Sequence, residues 1–161
     1  MPPKTIVSAP QSQMHEEAIS RILPRLSDDK VREVARIAFD HWHEYNNVER
    51  TGVAEIIESI KKRGQKAYIL SNVSRRLTDT WKSVVPAPEL YDGAFFSGEV
   101  LALKPQPIIY QMFFQRFNLN PSECLFIDDV KANADAAIQC GMDAWWFRMG
   151  NTDDMKKFLE V

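Results

Sequence analysis

Three short polar signals in this chain could do chemistry: Ser71-Asn72, Lys104-Pro105 and Asp128-Asp129. Each falls beside an expected element of regular structure. Cys124 to Ile127 is an apolar run of strand length, and two carboxylates arrive where it should end. Ser71 and Asn72 follow a second such run, Lys66 to Leu70, and Lys104 precedes a helix opened by Pro105 or Pro107. A hydroxyl, amide donors, one ammonium and two carboxylates suit a phosphate held beside a divalent metal. The hydroxyl and backbone amides can bind phosphate oxygens, and Lys104 can neutralise their charge. Asp128 and Asp129 supply oxygen ligands of the kind Mg²⁺ takes. The plainer account of the acidic pair is a helix cap favouring the positive helix end. One Asp would suffice for that, and carboxylates at the carboxyl end of a buried strand sit where open α/β sheets bind ligands.

From residue 51 onward the elements that must position these residues alternate. Thr51 caps a helix with Val53, Ile56, Ile57 and Ile60 on one face, closed by Gly64. The Lys66–Leu70 strand follows, then a helix from Ser74 bearing Leu77 and Trp81 that ends before Pro86. Ala94 to Phe96 reads as a short strand. The next helix turns Ile109, Met112, Phe113 and Phe117 inward. After the Cys124–Ile127 strand comes a helix with Val130, Ala134, Ala137 and Cys140 on one side and Gly141 as its stop, then a last strand, Ala144 to Phe147. Strands separated by helices of this length predict an α/β fold, a Rossmann-like three-layer parallel sheet with helices on both faces.

Residues 11 to 47 follow a different pattern. Ala18, Ile19, Ile22 and Leu23 make one stripe broken at Pro24. Ser27 caps a longer helix with Val31, Val34, Ala35, Ala38, Phe39 and Trp42 at helical spacing. The expected division is residues 1–50, an N-terminal segment with a small helical cap remnant, and 51–161, the Rossmann-like core. His41 and His43, two apart on a helix, face different directions and read as surface residues rather than a metal pair. Trp145 and Trp146, adjacent in a strand, point to opposite faces and read as core on two sides.

Composition bounds the function. The 161 residues are 45% apolar and 26% charged, with a net charge of -2, which advertises neither a nucleic-acid nor a membrane partner. No apolar run reaches membrane-spanning length, and the amino terminus lacks a signal-peptide core. Cys124 and Cys140 read as reduced packing residues of a cytoplasmic protein. Oligomeric state is not written in the sequence.

Those motifs, in that order, resemble the haloacid dehalogenase superfamily of hydrolases, in particular phosphatase-type members with a small helical cap acting on sugar phosphates. Ser71 in Tyr68-Ile69-Leu70-Ser71-Asn72 matches the phosphate-binding residue, and Lys104 in Leu103-Lys104-Pro105 matches the family lysine. Asp128-Asp129, with Asn133 following, matches the metal-binding acidic motif. The resemblance implies substrate binding by Ser71, Asn72 and Lys104, a catalytic part for Lys104, and Mg²⁺ at Asp128 and Asp129. Its implied partner is a small phosphorylated metabolite.

The family's opening strand, ending in Asp-x-Asp, has no counterpart here: no Asp precedes Asp28. The first of those acids forms an aspartyl-phosphate and the second moves the proton. If Thr5-Ile6-Val7 takes that place, Ser8 and Pro10 replace the two acids. Three explanations stay open: a shortened centre strand from Thr5 to Ser8, a truncated chain, or a protein reshaped for another task. The sequence favours truncation. The expectation is a phosphohydrolase fold inactive as this chain stands, with weak or absent Mg²⁺ binding. A non-catalytic phosphate- and metal-binding or interaction protein is the alternative.

Overall fold

The computed structural model describes residues 19–46, 52–73, 75–148 and 152–161. The chain divides into two compact units, Met1–Val48 and Glu49–Val161. In the first, residues 19–22 are helical and run into a 3-10 turn, Leu23–Arg25, followed by helix α1, Asp29–Asn46. The cap of α1 is Asp28, not Ser27: its Oδ1 accepts from the amides of Lys30 and Val31 at 2.8 and 3.2 Å. Val31 and Val34, expected to face inward, are exposed. The side chains of residues 39–46 lie outside the described ones, and with them Phe39, Trp42 and both histidines of the excluded metal pair.

The second unit alternates helices and strands. Its elements are α2 (Val53–Lys62), β1 (Tyr68–Ser71), α3 (Arg75–Val84), β2 (Gly93–Phe96), α4 (Pro107–Phe117), β3 (Leu125–Asp128), α5 (Lys131–Gln139), β4 (Asp143–Trp146) and α6 (Thr152–Leu159). Thr51 and Ser74, the expected caps of α2 and α3, lie outside the described residues, as does Thr5–Ser8. Gly141 stops α5 as expected, in the left-handed region with φ of 93°, a conformation glycine adopts without steric cost. Val130, placed on the inward side of α5, is half exposed, whereas Ala134 and Ala137 are buried.

All strand pairing among the described residues is parallel. β1 pairs with β2, setting Ser71 opposite Phe96, and β3 pairs with β4, setting Asp128 opposite Trp146. Ser71 and Asp128 are therefore the last residues of their strands rather than the first residues beyond them. One sheet was expected, and the described strands form two pairs, with no ladder between β1 and β3.

What joins the pairs is α4. Phe113 meets Tyr68 of β1 edge-on at 5.9 Å and Phe95 of β2 at 6.3 Å, while Tyr110 meets Phe126 of β3 at 5.7 Å. Ile109 and Tyr110 are fully buried, so this helix faces strands on more than one side. Each ring pair contributes about 0.5–1.5 kcal/mol beyond its burial. Gly93 opens β2 because any Cβ there would run into the Phe117 ring, itself packed on Tyr68 and Phe113.

Candidate functional site

The carboxyl ends of β1 and β3 are brought together by one side chain. Lys104 sits in the turn between β2 and α4, closed by Gln106: the Gln106 amide donates to the Leu103 carbonyl, and the Leu103 amide to Gln106 Oε1. The Lys104 backbone is gripped from β1's side as well. Asn72 Nδ2 donates to the Lys104 carbonyl, and the Lys104 amide donates to Asn72 Oδ1, both at 2.8 Å. With its backbone held at both ends, Lys104 sends its ammonium inward. Nζ donates to the Leu70 carbonyl of β1 and to Asp128 Oδ2 of β3, each at 2.7 Å.

Both partners of this ion pair are buried, with side chains 9 and 6% exposed. Burial of charge is costly unless the remaining hydrogen-bonding capacity is met, and here it largely is. Asp128 Oδ1 accepts from the Val130 amide at 2.8 Å and from Asn133 Nδ2 at 3.0 Å. Asn133 is fixed in turn, because the Tyr110 hydroxyl donates to its carbonyl at 2.8 Å. Burial, then the Asp128 charge and Cys140, push the Tyr110 phenol well above its ordinary range, which keeps it a proton donor. The ammonium also stands 5.2 Å from the centre of the Phe126 ring.

The expected site residues are thus placed unequally. Lys104 and Asp128 meet directly. Ser71 is half-buried at the end of β1, one residue beyond the carbonyl that Lys104 bonds. Asn72 spends its carbonyl oxygen and one donor on the Lys104 backbone. Asp129 is exposed, and its backbone carbonyl accepts from the Trp146 indole at 3.0 Å. Trp146, expected in the core, is instead partly exposed beside this corner with the Arg148 guanidinium over its ring, while Trp145 packs on Phe147 and Phe158. Tyr110 was given no role from the sequence. A phenol among the apolar positions of α4 was the available signal, since a buried hydroxyl needs a partner.

The described residues offer a divalent metal few free ligands. Mg²⁺ takes several oxygens in near-octahedral order, and among the described residues no group of three His, Cys, Asp or Glu side chains could hold a metal. Asp128, the only buried carboxylate among the described residues, already has hydrogen bonds on both oxygens, one of them from a cation. No helix of the described residues is long and apolar enough to cross a membrane.

A phosphorylated carbohydrates phosphatase from Thermotoga maritima is 25% identical over 113 residues, 70% of this chain and 52% of that protein. A CBBY-like protein from Arabidopsis thaliana is 27% identical over 107 residues, 65% of this chain and 34% of that protein. The chain therefore spans about half the length of the first relative and about a third of the second. The crystal structure of a haloacid dehalogenase family enzyme from Bacteroides thetaiotaomicron, in complex with magnesium and inorganic phosphate, shares the fold. Its TM-score is 0.67 at 19% identity, over 89% of this chain and 71% of that one. The family profile of haloacid dehalogenase-like hydrolases matches residues 13–141. That match takes in both strand pairs up to β3, the turn that carries Lys104 and the helix that follows Asp128, and by it the chain belongs to the haloacid dehalogenase-like hydrolases.

Proposed function

We propose that this chain binds a small phosphate ester, of the sugar phosphate class, and does not hydrolyse it as it stands. The observation that carries the reading is the buried Lys104 ammonium at the carboxyl ends of two parallel strands. It bonds Leu70 and Asp128 and keeps a third N–H for an incoming oxygen. Ser71 supplies a hydroxyl next to it. Asn72 acts at one remove, by fixing the Lys104 backbone, and its second amide hydrogen is open to substrate. Asp128 orients the ammonium, and exposed Asp129 faces solvent at the mouth. The cytoplasm is the compartment that fits two free thiols, both pushed up by burial and so held as unreactive Cys124 and Cys140.

Turnover needs a nucleophile and a proton donor. No Asp precedes Asp28 in the sequence, and the ammonium, a cation without a lone pair, can do neither nucleophilic nor base chemistry. Holding ground state and transition state alike does not accelerate a reaction. With p-nitrophenyl phosphate and a sugar-phosphate panel, in Mg²⁺ buffer, the purified chain should show no turnover above background. Calorimetry with inorganic phosphate should show binding that Ser71→Ala weakens. Ser8→Asp alone should not restore activity, because Pro10 offers no proton. Robust turnover lost in Asp128→Ala, or no phosphate binding at all, would overturn the reading.

A further inference from the structure

We infer that Lys104 is the resident cation of the Asp128 carboxylate, so that its ammonium and a divalent metal exclude one another there. The inference rests on the reading of this corner as the chain's site and assigns what its one buried carboxylate holds. The two charges are 2.7 Å apart and cancel in a corner from which water is nearly excluded. Asp128 Oδ1 already accepts from Val130 and Asn133, so a metal has to approach through Oδ2, where the ammonium takes one lone pair and stands beside the other. Adding a dication beside that ammonium would place three positive charges against one buried carboxylate. Asp129, exposed, is the one further carboxylate in the adjacent sequence, and it leaves an excess of cation even when recruited. Low-dielectric surroundings magnify such an excess. The ammonium is also fixed independently of Asp128, by the Leu70 carbonyl and through the Asn72 grip on its backbone, so it does not drift aside at no cost.

The exclusion makes metal binding and Lys104 release two sides of one equilibrium. Substituting Lys104→Met removes the competitor and leaves Asp128 in need of a cation. Mn²⁺ titrated into the purified chain, with free Mn²⁺ counted by electron paramagnetic resonance, should bind Lys104→Met at least about tenfold more tightly than the natural chain. Mn²⁺ should raise the melting temperature of Lys104→Met more than that of the natural chain, and Asp128→Asn added to the variant should cancel both gains. Equal or weaker Mn²⁺ binding by Lys104→Met overturns the inference. Where that variant fails to fold, the natural chain serves. With ¹⁵N-lysine label, the Lys104 ammonium signal should fade in step with Mg²⁺ occupancy at Asp128. A metal on Asp128 with that signal intact overturns the inference equally. Neither measurement contains phosphate, so failure of the phosphate-binding reading would leave its outcome untouched.

Discussion

Three of the ion pairs in the Glu49–Val161 unit share one separation and differ in their surroundings. Lys104–Asp128, Lys61–Asp92 and Lys131–Asp135 all stand at 2.7 Å, with side chains 9 and 6%, 33 and 26%, and 59 and 49% exposed. Separation therefore says nothing about what each holds together. Around Lys131 and Asp135, on successive turns of α5, water solvates either charge about as well as its partner does. Lys61 and Asp92 are partly screened, and Asp92 also accepts from the Ala67 amide at 2.8 Å, which ties α2 to the entry of β1. Around Lys104 and Asp128 nothing replaces the partner, and removal of either leaves a charge stranded.

The largest effect should come from stranding it. Lys104→Met should cost about 3–5 kcal/mol of unfolding free energy, read as a shift in the urea midpoint. Lys104→Met combined with Asp128→Leu should recover much of that, since two apolar side chains leave no orphan charge. A double variant no more stable than the single one would break the comparison, because burial would then not be the reason. Next is Tyr110→Phe, which removes the side-chain donor to the Asn133 carbonyl while its α5 partner remains, and should cost about 0.5–1.5 kcal/mol. It tests whether the support of Asp128 matters as well as the pair.

Asp92→Asn should cost about 1 kcal/mol near neutral pH, and the cost should depend on pH. Burial pushes the Asp92 carboxyl up, but the Lys61 hydrogen bond, the Ala67 amide and the charges of Lys61 and Lys66 together hold it below the usual range. A carboxyl depressed in the folded state adds stability above its unfolded value, about 3.9, and loses it as pH falls through the folded value. Denaturant midpoints of Asp92→Asn and the natural chain should therefore converge in strong acid. The smallest effect belongs to Lys131→Met, within about 0.5 kcal/mol and shrinking further with added salt. A loss as large as that at Lys104 would show that α5 depends on its surface charges.

The sequence carried the order of elements because each buries an apolar face with its own period. Spacing alone found α2 through β4 to within a residue or two. Val31 and Val34 show where that reasoning stops: their spacing is helical, but exposure depends on what packs there, and no local pattern encodes it. The chemistry was partly legible. Lys104 and Asp128 stood out by type and position, while the Asn72 grip on the Lys104 backbone joins residues 32 apart in sequence through main-chain atoms. Backbone hydrogen bonds carry no residue signature, so Asn72 was read by its type as a phosphate donor and not as the clamp on the Lys104 backbone. Trp146 was misjudged for a related reason. Alternation separates the faces of a strand but does not say how well each face is covered, and Trp146, at the last position of β4, is partly exposed.

Among the described residues the strands divide into two pairs, and this bears on cooperativity. A two-stranded sheet is marginal by itself and depends on a helix or further strands for stability. Here both pairs depend on the same helix, α4, through Phe113 on one side and Tyr110 on the other, and their ends share one ammonium. Neither pair can open while the other keeps its protection, because each loses its support when α4 lifts. In native-state hydrogen exchange the amides of Leu70 and Phe126 should exchange with the same opening free energy, as members of a single unit. The helix between them sets that energy for both.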